Sequence, residues 1–150
     1  MAAKNPTIKL RAVTGPARLD LSEGAIEVAD KCFEVASLAA AIEALAPDTL
    51  DVARVMRVLI ERARTLAASL DLANAPKEAW QDALGMAIQE SFTLSALAGA
   101  AASCVNMEEG NLSGAEIDTS RCLDVLIERI EALTKLADRV DTRVGESAHA

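Results

Sequence analysis

The stretch VLIERARTL at 58–66 returns as VLIERIEAL at 125–133, an offset of 67 residues. On that offset Met56, Leu59, Ala63, Leu66 and Leu70 fall on Leu123, Leu126, Ile130, Leu133 and Ala137. Both series step by three and then four, the spacing that lines side chains along one stripe of an α-helix. Upstream, Phe33, Leu38, Ala39 and Ala41 match Phe92, Leu97, Ala98 and Ala100 at an offset of 59. The longer loop marked by Gly110 and Gly114 absorbs the difference between the two offsets. The pattern is that of one α-hairpin written twice. A hairpin with a single apolar stripe cannot bury it alone, but two packed face to face can. The expected fold is all-α: an antiparallel four-helix bundle built from two repeated α-hairpins, with an irregular N-terminal arm.

Composition agrees with helices. The chain is 51% hydrophobic but only 2% aromatic, with one Trp, two Phe and no Tyr. Such a core is aliphatic and alanine-rich, whereas sheets favour β-branched and aromatic residues. A chain of 150 residues is long enough for a core without staples. Cys32, Cys104 and Cys122 are widely spaced and odd in number, as expected of reduced thiols in a cytoplasmic protein. No signal-like apolar run follows Lys4, Lys9 and Arg11, and the weakly polar stretch 92–107 is too short and too rich in Ser to span a bilayer.

Residues 1–19 hold Pro6, Gly15 and Pro16 and lack helical periodicity, so they are expected to form a flexible basic arm. The bundle is expected over 20–143, beginning at the box-like order Asp20, Leu21, Ser22, Glu23, with 144–150 as a disordered tail. Pro47 ends the first helix, Asp48 or Thr49 can cap the second, Pro76 opens the third, and Ser113 with Glu116 caps the fourth. The third carries Trp80, Leu84, Ile88 and Phe92 into a nearly uncharged half.

Catalytic chemistry has little to stand on. His149 is the only histidine and is penultimate, so no Glu-x-x-His pair exists for a di-iron bundle. Three scattered cysteines cannot complete a four-ligand zinc site, and neither glycine of the long loop sits in a G-x-x-x-x-G-K frame. No Ser or Cys has a base placed to activate it. The chain is therefore expected to be no enzyme, with no catalytic residue, metal or cofactor. Arg54, Arg57, Arg62 and Arg64 form a stripe, but Asp48, Asp51, Glu61 and Asp71 offset it, which suits a solvated or salt-bridged face.

Charge narrows the partners. The net charge is −8, and the arm's Lys4, Lys9, Arg11 and Arg18, with no acid beside them, leave −12 on the remainder. An acidic body repels nucleic acid and anionic membrane, so a membrane role is not expected and nucleic-acid binding through the arm is the weakest option. Two nearly chargeless stretches, 35–46 and 93–105, either need a cover or simply use alanine as a helix former on an open face. The expected function is a regulatory or scaffolding interaction protein that meets a protein partner or a second copy of itself. Its expected contacts are the arm cations and Leu38, Ile42, Leu94 and Leu97. The alternative is a small-molecule-binding bundle with a pocket at Phe33, Trp80 and Phe92.

Overall fold

A computed structural model describes residues 16–46, 51–72, 75–106 and 114–149, with the outermost turns at 16–22 and 143–149 as backbone only. It holds four helices: α1 (Pro16–Leu45), α2 (Val52–Ser69), α3 (Lys77–Asn106) and α4 (Gly114–His149). No strand occurs among the described residues.

Both outer boundaries differ from expectation. The first helix begins at Pro16, not at Asp20, so Arg18 belongs to α1 and not to an arm. Proline is well suited to a first helical position, because its φ is already helical and its missing N–H would have had no partner there. At the other end α4 runs to His149, in place of a disordered tail from 144. Gly145 is the only helix-weakening glycine there and no proline intervenes. One helix glycine costs about 1 kcal/mol, too little to stop a helix already packed along its earlier turns. Lys4, Lys9, Arg11, Asp48, Thr49 and Ser113 lie outside the described residues. Asp51 stands at the start of α2 with no side-chain cap. Ahead of α3, the carbonyl of Pro76 accepts from the backbone N–H groups of Ala79 and Trp80.

Consecutive helices pack on one another and α4 closes the ring against α1. The bundle is flattened: among the described residues α1 and α3 touch across the diagonal, whereas α2 and α4 do not. Side-chain size accounts for this. The buried faces of α1 and α3 include Ala25, Ala36, Ala39, Ala83, Ala87, Ala98 and Ala101. Those of α2 and α4 carry Met56, Leu59, Leu66, Leu123, Leu126, Ile130 and Leu133. Small residues on one diagonal let those axes approach, and large ones on the other hold theirs apart.

The same geometry explains the chargeless stretches. A helix with three helical neighbours buries a wide arc and needs few charges on it. The residues left in the open there are largely small, namely Ala41, Ala44, Ala96, Ala100 and Ser103. Alanine on an open helix face is a favourable helix former, and no cover is required at these positions.

Several residues related by the two sequence offsets are buried alike. Met56, Leu59, Ala63, Leu66 and Leu70 are all buried, and so are their counterparts Leu123, Leu126, Ile130, Leu133 and Ala137. Ala39 and Ala98 are buried, Leu38 and Leu97 are half-buried, and Phe33 and Phe92 are exposed.

Candidate functional site

The three aromatic residues differ in burial. Trp80 is buried at the start of α3, where its indole Nε1 donates to the Ala75 carbonyl at 3.3 Å and ties the preceding loop to the helix. Phe33 is 53% exposed and Phe92 62%, so neither shares a buried pocket with Trp80. The expectation of a pocket at these rings fails because both phenylalanines stand one position past a core residue, Cys32 and Ser91 respectively, and one residue is a rotation of about 100°.

The expected interaction residues divide in the same way. Ile42 and Leu94 are fully buried and belong to the core, which corrects their assignment to an exposed face. Leu38 and Leu97 are half-buried and pack against that core. Among the described residues the large apolar side chains that reach the surface are Ile26 (56%), Phe33, Met86 (63%) and Phe92, followed by Val58 (44%), Val125 (43%), Leu45 and Ile117. For the two valines the sequence held a signal, and for α1 the register is clear only once Ala25 and Cys32 are known to be buried. Val58 and Val125 lie off the three-four stripe, and Ile26 and Phe33 are seven residues apart on a line one step beyond Ala25 and Cys32.

Phe33 and Val125 line one shallow groove, and Val58 and Met86 line another. Between α1 and α4 the walls are Asp30, Phe33, Glu34 and Leu38 on one side and Val125 and Arg129 on the other. Between α2 and α3 they are Val58, Arg62 and Leu66 opposite Met86 and Glu90. On the sequence offsets Val125 corresponds to Val58, Arg129 to Arg62 and Lys31 to Glu90.

The two grooves differ in how their charges are satisfied. Arg62 donates to both carboxylate oxygens of Glu90, Nε at 2.5 Å and Nη2 at 3.2 Å. That hydrogen bond and the attraction of the carboxylate raise the guanidinium pKa further. In the other groove Lys31 replaces the acid, and it turns along its own helix to Glu34 at 3.0 Å. Arg129 has no ion-pair partner among the described residues. Two of the four arginines of the α2 stripe form salt bridges among the described residues, and their partners come from neighbouring helices. Arg57 pairs with Glu43 of α1 at 2.6 Å and Arg62 with Glu90 of α3.

Inside the bundle, Ser91 donates to the Ile88 carbonyl at 2.6 Å and accepts from Thr134 of α4 at 2.8 Å. Burial pushes the Cys32 thiol up to about 12, so it stays protonated and is a poor nucleophile at neutral pH. Cys104 and Cys122 are free and half-buried. Among the described residues no group of three or more His, Cys, Asp or Glu is placed to hold a metal. Among them also, no helix is long and apolar enough to cross a membrane.

No protein-family model, no curated protein and no solved structure matches the chain.

Proposed function

We propose that this protein works by binding other polypeptides as a regulatory or scaffolding element, through the apolar edges of its bundle. One observation carries this. Both of the chain's phenylalanines stand on the outside, while the buried apolar residues are Leu, Ile, Val, Ala, Met56, Cys32 and Trp80. Isolated exposed leucines or valines are ordinary on a protein surface. Aromatic rings dominate interface energetics, and a chain with so few of them leaves two exposed on its described surface. Phe33 lies on a stripe with Ile26 and faces Val125 across a groove, so it is part of a patch and not an isolated ring. The basic residues Lys4, Lys9 and Arg11 are a second contact in this reading, suited to an acidic partner segment.

The test is affinity capture with the full chain, with Phe33→Glu and with Phe92→Glu, each checked for unchanged helicity. A stoichiometric polypeptide retained by the parent chain and lost from one variant is the expected result. Identical recovery by all three proteins would sink the reading.

A further inference from the structure

We propose that the face formed by α1 and α4 pairs with the same face of a second copy of this chain, about a twofold axis parallel to the helices. This rests on the interaction reading above and names the partner for one edge of the bundle.

The argument comes from charge. The α1 wall of the groove offers Asp30 and Glu34, one helical turn apart, and the α4 wall offers Arg129. Although these groups line one groove, Arg129 makes no ion pair with either acid. At the related position across the bundle the arginine is fully engaged by Glu90. Glu34 is held by Lys31 of its own helix, so the opposite charges of the α1–α4 groove that have no ion pair among the described residues are Asp30 and Arg129.

Such a surface is complementary to itself. Rotation by 180° about an axis lying in the interface and parallel to the helices sets α1 of one copy over α4 of the other without changing its height. Arg129 of each copy then meets Asp30 and Glu34 of its mate, and the contact forms twice, as an isologous interface requires. Between the two charged clusters Phe33 of one copy meets Val125 of the other. The stripe continues through Ile26, seven residues before Phe33 and as exposed. A central aromatic ringed by polar pairs is the usual anatomy of a protein interface. The α2–α3 groove lacks this property, because its arginine is already held by Glu90.

The full chain is examined by sedimentation equilibrium up to about 100 μM, where an interface of micromolar strength is populated. A dimer is expected. Phe33→Glu, an exposed position whose change leaves the fold intact by circular dichroism, should weaken it on the order of 100-fold, as for a buried interface aromatic. Charge reversal gives the sharper test. Arg129→Glu alone and Asp30→Lys/Glu34→Lys alone should each be monomeric, since each sets like charges against each other in both halves of the contact. A one-to-one mixture of the two variants should dimerise again, because both halves are then attractive. A monomeric parent chain overturns the proposal. So does a dimer indifferent to Phe33→Glu, or a mixture that stays monomeric. A monomer that still captures a different polypeptide through Phe33 would refute self-pairing alone and leave the interaction reading standing.

Discussion

Position 32 in the first hairpin and position 91 in the second occupy the same place, fully buried on the inner faces of α1 and α3, yet one is cysteine and the other serine. Their partners on the following helix differ in step. Thr134 of α4 hydrogen-bonds Ser91, whereas the matching position in α2 is Ala67, which has nothing to donate. The second hairpin therefore holds a polar link between its helices where the first uses packing alone. Buried polar groups are costly unless paired, so serine is acceptable at 91 only because the Ile88 carbonyl and Thr134 complete it. One backbone register thus accepts two interior chemistries, provided that the change is made on both helices together. The bundle edges show the same rule, since Arg62 has Glu90 while Arg129, opposite a lysine-bearing helix, has no such partner among the described residues.

If the hairpins are equivalent where their residues agree, matched truncations should cost the same. Leu59→Ala and Leu126→Ala each remove a fully buried leucine and should each destabilise by about 2–5 kcal/mol in urea unfolding. A large disparity between the two would break the equivalence.

Where the hairpins disagree, the effects should be one-sided. Gly24 of α1 is buried, and a methyl group there would lie 2.5 Å from a Val140 methyl of α4. The matching residue of α3 is Ala83. Gly24→Ala should destabilise by about 1–3 kcal/mol despite the better helix propensity of alanine. Gly24→Ala/Val140→Ala should cost less than the sum of the two single changes, a coupling that a double-mutant cycle reads directly. Ala83→Gly should cost only about 1 kcal/mol, the propensity difference.

Breaking the polar link is a smaller matter. Thr134→Val should cost about 1 kcal/mol in thermal unfolding, because Ser91 keeps its bond to the Ile88 carbonyl. The matched change Ala67→Thr gains no such partner and should not stabilise the first hairpin.

The mildest difference is chemical. Cys104 and Cys122 should alkylate readily at pH 8 while Cys32 reacts only through opening of the bundle, as mass spectrometry after iodoacetamide can show. The folded Cys32 thiol ionises near 12 and the unfolded one near 9, so the unfolded state loses its proton first as pH rises. Stability from this group is complete below about pH 9 and is lost between there and about pH 12. Cys32→Ala should remove that part of the alkaline decline, while Ser91 has no counterpart to it.

Periodicity makes the four helices and most of the core legible, because the three-four spacing of α2 and α4 encodes which side faces inward. It serves α1 and α3 poorly. Their interiors rely on alanine, which looks the same on a buried diagonal and on an open face, so spacing alone puts Ile42 and Leu94 outside and Phe33 and Phe92 inside, the reverse of their burial. Ion pairs are foreseeable in kind but not in identity. Glu43 and Glu90 lie 14 and 28 residues from their arginines, a separation that only the packed bundle spans. The grooves depend on which helices become neighbours, and no local spacing states that.

That α4 packs beside α1 has a consequence for how the protein is made. The α1 surface destined for α4 emerges from the ribosome well before its cover, since 68 residues separate Leu45 from Gly114. At about 5–20 residues per second, translation leaves it open for a time on the order of ten seconds, long compared with the folding of a helical hairpin. Gly24, beside Val140 in the finished bundle, and Phe33, which shares a groove with Val125, wait uncovered in that nascent chain. During that interval a chaperone, or another nascent copy, can reach the face before α4 does.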